Sequence, residues 1–199
     1  MRGDLMAYNN NPNRAVQLIL EDISGGAVIQ KDELKNGATG MLSEGILISL
    51  DSNKIGHLTK TCRLWNDIES SATGIRVYKS HEFKVGDIVI NTIKTATARN
   101  ITAIDTSAIS YDQFTIGSGF GVAIDTGAIF IEALASGVSG TDASYKYSPD
   151  AVGVSEFPIN LQFENSGFGL LVRGRVCEAK MPYPVDATLK ALFPLIRFV

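Results

Sequence analysis

The chain has 199 residues, of which 45% are hydrophobic, 20% charged and 8% aromatic. That balance excludes a disordered or collagen-like chain and suits a globular protein that holds together without disulfides or metal. A net charge of −3 and a pI of about 5.4 leave no overall positive field to attract nucleic acid, and no apolar stretch is long enough for a membrane-spanning helix.

Residues 1–14 read as an extended arm. The run Asn9-Asn10-Asn11-Pro12-Asn13 suits neither helix nor core, and no apolar run of the kind a secretory signal needs is present. Leu5, Met6 and Tyr8 are the arm's apolar contact candidates, and ordering them on a neighbour would offset part of the entropy lost. Residues 15–23 are apolar without a deciding period, so a strand and two helical turns both fit. Pro12 is followed by no proline until Pro149, and the interval is rich in Ile, Val, Thr and Gly. That composition favours repeated strands and tight turns.

Within it, residues 45–50 (GILISL) and 55–65 flank the turn residues 51–54 and read as a hairpin. Further strands are expected at 75–79, 88–93, 101–105, 113–116 and 128–133, with tight turns at Gly86-Asp87 and 125–127 and a glycine corner at 117–121. Short strands at such spacing indicate a small antiparallel barrel or sandwich, here a central barrel at about 45–135. Residues 136–154 are rich in Gly, Ser and Asp and read as a long loop. The remainder, 155–199, reads as a hairpin of 158–163 with 170–179, a short helix capped by Asp186 and stopped by Pro194, and a last strand over 195–199. The fold class is therefore all-β, mainly antiparallel, with one β-rich domain over 15–199. The apolar C-terminal stretch is too long for a solvent-facing tail, and makes Leu195 and Phe198 candidates for a core or a subunit contact.

Motifs of chemistry are sparse. Gly117-x-Gly119-x-Gly121 is not followed by a helix, so it suits a barrel corner better than a dinucleotide site. Asn100-Ile101-Thr102 fits a glycosylation acceptor, and Arg2-Gly3-Asp4 is a tripeptide common by chance. His57 and His81 lack the paired spacing of metal ligands, and each is expected to make an ordinary hydrogen bond. Cys62 and Cys177 stand apart from any cysteine cluster and read as free thiols. Nucleophile elbow, Walker loop and HExxH are all missing, so the chain is not read as an enzyme, and no catalytic residue, cofactor or metal is assigned. Residues 105–171 carry eight acidic side chains and one basic, between flanks of net positive charge. Such blocks either steer copies toward one another or form a solvated face.

The stretches RVYKSHEFKVGDIV, ITAIDTSAISYDQFTIGSGFG and GAIFIEA, between Arg76 and Ala133, carry a resemblance. Val85-Gly86-Asp87-x-Val89, the strand end Ile104-Asp105 and Tyr111-Asp112-x-x-Thr115-Ile116 resemble the small β-barrel module of head-associated proteins of tailed bacteriophages: auxiliary capsid, decoration and head-fibre proteins. The tail MPYPVDATLKALFPLIRFV is similar to tails of that group. The similar stretches span about 80 residues at the level of pattern, and the first part of the chain carries no resemblance. The resemblance implies a virion structural protein that stabilises a capsid or anchors a head fibre. Its implied partners are the major capsid protein and copies of itself in a homo-oligomer, with no nucleic acid and no membrane. Two alternatives remain: a tail or connector protein, and a carbohydrate-binding module for host attachment. The second asks for gathered exposed aromatics, whereas Trp65, Tyr111, Tyr145, Tyr147 and Tyr183 are scattered in the sequence.

Overall fold

The computed structural model describes residues 14–23, 26–34, 40–51, 53, 55–147, 152–162 and 165–199. The arm residues Leu5, Met6 and Tyr8 lie outside the described residues. The first third forms β1 (Val16–Asp22), β2 (Ala27–Ile29), β3 (Met41–Leu42), β4 (Leu47–Leu50) and β5 (Ile55–Leu58). The middle forms β6 (Thr61–Arg63), β7 (Gly74–Tyr78), β8 (Ile88–Asn91), β9 (Arg99–Asp105), β10 (Tyr111–Ile116) and β11 (Ile129–Glu132). The last part forms β12 (Val152–Ser155), β13 (Ile159–Asn160), β14 (Ser166–Phe168), β15 (Leu170–Val176), α1 (Ala187–Ala191) and β16 (Ile196–Phe198). The fold is all-β and mainly antiparallel, with one short helix near the C-terminus.

Two large sheets and a two-stranded ribbon of β3 with β13 make up the strands of the described residues. The larger has the order β1-β15-β12-β4-β5-β2-β14, with β16 running parallel to β15. It buries both faces, which explains its doubled apolar residues. Ile46, Ile48 and Leu170 join Ile29 and Phe168 on one side, while Leu47 and Leu171 join Val176, Phe193 and Ile196 on the other. The smaller sheet has the order β6-β11-β8-β9-β10-β7, antiparallel throughout. It curls until its two ends meet at an antiparallel bridge between Leu64 and Val77, reinforced by Trp65 N–H donating to the Arg76 carbonyl at 2.9 Å. Alternation along β7 and β10 sends Ile75, Val77, Phe114 and Ile116 inside this barrel-like sheet. Four fully buried phenylalanines (Phe83, Phe114, Phe120 and Phe130) fill its interior. The Gly86-Asp87 turn forms as expected: Gly86 takes a φ of 96°, and the Lys84 N–H reaches the Asp87 carboxylate at 2.8 Å.

The C-terminal segment ties the sheets together. Asp186 caps α1 by accepting from Leu189 N–H at 2.9 Å, as its position in the sequence suggests. Leu189 then packs on the barrel's outer face against Ile90, Ile129 and Ile131.

Several expectations shift. Residues 15–23 resolve as strand β1. The expected strand over 55–65 breaks at Thr59-Lys60, where the chain leaves the larger sheet for the smaller one. β4 and β5 therefore belong to the larger sheet, and the barrel strands lie between Thr61 and Glu132 rather than over 45–135. In the larger sheet Leu47 and Ile48 are covered on opposite faces, by the clusters of Val176 and Phe193 and of Ile29 and Phe168. The long loop over 136–154 contains a 3-10 turn at Gly140–Asp142 and a bridge between Ala133 and Tyr145, and it ends in β12. The hairpin of 158–163 with 170–179 does not form, because β13 pairs with β3 and β15 with β12, β1 and β16. Cys62 and Cys177 are free, and burial pushes the Cys62 thiol far above its ordinary value. Among the described residues no helix is long and apolar enough to cross a membrane.

Candidate functional site

Both histidines are committed to carboxylates. His81 is buried in the barrel wall, where Nε2 faces Asp112 Oδ2 at 3.0 Å and Nδ1 accepts from Phe83 N–H at 3.2 Å. That pairing assigns the ring proton to Nε2. Asp112 also binds Lys79 at 2.7 Å, so the pair fastens the segment before Gly86 to β10. His57 lies between Glu33, 2.9 Å from Nδ1, and Asp51, 3.6 Å from Nε2, and stacks on Tyr147 at 3.9 Å. The Ile55 N–H, with further help from Asn53 and His57, holds the Asp51 carboxyl below its ordinary value. Burial and the Glu33 charge push the Tyr147 hydroxyl up.

Beside this cluster runs a polar seam between the sheets. Lys60, 3% exposed, meets Asp87 at 2.7 Å and Glu132 at 3.4 Å, and Glu132 meets Lys146 at 2.6 Å. Burial pushes the Glu132 carboxyl up despite the two lysines. Burial is the largest single influence on the Lys146 ammonium and lowers it, but the Glu132 bond together with the Glu132, Tyr147 and Asp87 charges holds it above its ordinary value. Two ammonium groups face two carboxylates here, at the Thr59-Lys60 crossing, so the buried charges are mutually compensated. Among the described residues, no group of three or more His, Cys, Asp and Glu side chains is placed to hold a metal ion.

Two grooves on the open surface are lined by described residues. One, of about 400 Å³, runs between Arg63, Tyr78 and Ser80 of the barrel and the segment from Met181 to Val185. Tyr183 is fixed in its floor by donating to Glu82 at 2.9 Å, and burial beside that carboxylate keeps the hydroxyl protonated. The other, of about 410 Å³, lies at the root of the arm, lined by Arg14, Ala15, Met41 and Pro158 among others. Arg14 is clamped there. Its Nε meets Glu44 at 2.9 Å, its terminal nitrogen donates to the Glu156 carbonyl at 2.6 Å, and its guanidinium lies over the Phe157 ring at 4.9 Å. Ala15 N–H donates to the same Glu44 at 2.6 Å.

From this root the chain enters β1, which among the described residues pairs on one side only, with β15. Of the two described partner candidates, Leu195 is 57% exposed, and its carbonyl accepts from Gly174 N–H at 3.2 Å. Phe198 is half-buried and meets Phe193 edge-on at 6.1 Å. The fold sends them to different environments: Leu195 faces out, and Phe198 faces the chain's own cluster.

The aromatics are less scattered than the sequence suggests. Tyr145 bonds to the Thr92 carbonyl, Tyr147 covers His57, and Tyr183 lies in the groove. Trp65 and Tyr111, however, converge with Tyr78 on the outer face of the barrel, with Trp65 4.6 Å from Tyr78 and 6.0 Å from Tyr111. The signal for this was the period of two: each aromatic is one step out of phase with the buried Leu64, Val77 and Asp112. Comparison with known proteins finds no matching family model, no matching curated protein and no matching solved structure.

Proposed function

We propose that the chain is a structural subunit of a virion, an auxiliary or decoration component of a phage head that stabilises the shell or anchors a head fibre. The observation that supports this reading is the edge of β1, which has no partner among the described residues. This seven-residue strand carries half-buried Leu18 and Ile19 and the 55% exposed Leu20, and it directly follows the clamped root of the arm. A free, apolar edge adds strands from a neighbour through main-chain hydrogen bonds. Register shifts along the β1–β15 pair bend that edge, so a partner must match the bend to pair with it. The exposed Leu195, on the other side of β15, is a second and separate contact candidate. The arm, Met1–Asn13, then acts as a tether, and many weak contacts on one surface sum to firm attachment. The partners are the major capsid protein and copies of this chain, and the role needs no catalytic residue.

The test is antibody labelling, in negative stain, of particles that carry the chain, together with Leu20→Lys and deletion of residues 1–13. Label on heads, lost or sparse in either variant while the melting temperature is kept, supports the reading. Label on tails, or head attachment indifferent to both changes, overturns it.

A further inference from the structure

The strands that close the barrel present an outer face of unusual composition. Cys62 and Leu64, Ile75 and Val77, and Asp112 and Phe114 are buried, so Arg63 and Trp65, Arg76 and Tyr78, and Tyr111 and Gln113 point outward. The Leu64–Val77 bridge sets Arg63 beside Tyr78 and Trp65 beside Arg76. On the far side, Tyr111 lies opposite Tyr78 and Gln113 opposite Arg76. Two rows of three side chains result, with the Arg76 guanidinium 4.9 Å over the Tyr111 ring. Tyr78, 43% exposed, also forms the rim of the 400 Å³ groove with Arg63 and Ser80.

Trp, Tyr and Arg are enriched at protein contacts too, so composition alone does not name the occupant; Arg63 and Tyr78, however, open into a concave groove, which suits a narrow ligand better than a flat protein face. Flat rings beside fixed hydrogen-bonding groups suit a ligand with apolar C–H faces and a rim of hydroxyls, which is the chemistry of a pyranose. Charge narrows the class. Among the described residues neither the Arg63 nor the Arg76 guanidinium has a hydrogen-bonded or ion-paired partner. The nearby carboxylates are spent elsewhere, Asp112 on Lys79 and His81 and Glu178 on Lys190. We infer that this patch and the adjoining groove bind an oligosaccharide of carboxylate-bearing pyranoses, its ring faces on Trp65, Tyr78 and Tyr111 and its carboxylates on Arg63 and Arg76. Rings and arginines together also suit single-stranded nucleic acid, but a phosphate backbone needs a longer cationic track than two side chains supply. Binding here is independent of whether the chain sits on a shell.

Trp65 is the chain's one tryptophan, so its emission reports on the patch directly. The full chain is titrated with hexamers of galacturonate, hyaluronan and alginate, with maltohexaose as the neutral sugar, and with polyglutamate and oligo(dT) as non-sugar polyanions. Saturable change in Trp65 emission with at least one acidic hexamer is expected. Maltohexaose, and the acidic hexamer acting on Tyr78→Ala or Arg76→Ala, should each bind about tenfold more weakly, with the variants' melting temperatures unchanged. Four results overturn the proposal: no saturable change with any acidic hexamer, equal binding of maltohexaose, equal binding of polyglutamate or oligo(dT), or binding indifferent to both substitutions.

Discussion

Glu156 shows how one buried carboxyl shapes stability. It is 5% exposed, and its Oε1 finds no hydrogen-bond partner among the described residues. Burial, then the Asp22 charge, raises this carboxyl above its ordinary value, with Arg14 opposing. The folded chain therefore holds the proton more tightly than the unfolded chain does. Stability from this group falls as pH climbs from the ordinary carboxylate range through the raised value, and the cost persists above it. Glutamine carries no charge at any pH, so Glu156→Gln is expected to melt higher than the parent at neutral pH. That advantage should shrink as pH falls to the ordinary carboxylate range, which a series of melting curves against pH will read. The need for glycine at 174 is of another kind. A Cβ there would lie 2.1 Å from the Leu18 carbonyl oxygen, so β1 can close on β15 only over a bare backbone. Nothing local in the sequence near Gly174 announces this, because the colliding atom belongs to the opposite end of the chain.

Elements with strong local chemistry were legible, and elements that depend on distant partners were not. The Gly86-Asp87 turn, the Asp186 cap and strand β10 follow from turn residues, capping and alternation. β2 and β3, with three and two residues, are held by β14 and β13 from far along the sequence and carry no pattern of their own. The outward aromatic patch was written in the phase of three strands, but which strands adjoin is a tertiary fact. β16 shows the middle case: its apolar residues were plain, and its parallel pairing with β15 was not. Deleting Leu195–Val199 removes that pairing, the buried Ile196 and the bond from Glu178 N–H to the Val199 carbonyl. Loss of a buried Ile side chain alone costs about 2–5 kcal/mol, so a clearly lower melting temperature is expected by calorimetry.

At the scale of the molecule, the C-terminal segment touches both sheets: Leu189 of α1 packs on the barrel's outer face, while Val185 and Phe193 on either side of it join a cluster of the larger sheet. Leu189→Ala, at a fully buried position, is expected to cost about 2–5 kcal/mol in urea unfolding followed at Trp65. A Trp65 transition unmoved by the change would mean that α1 contributes nothing to the barrel. The crossing at Thr59-Lys60 has a consequence in time. The barrel's strands are contiguous in sequence, whereas the larger sheet joins β1 to β15 across nearly the whole chain. Local pairings close sooner than distant ones, because a long loop must first be brought together. During synthesis the barrel can therefore assemble while β1, β2 and β4 still wait for partners not yet made. Until β15 emerges, their apolar edges stand open beside those of every neighbouring nascent copy.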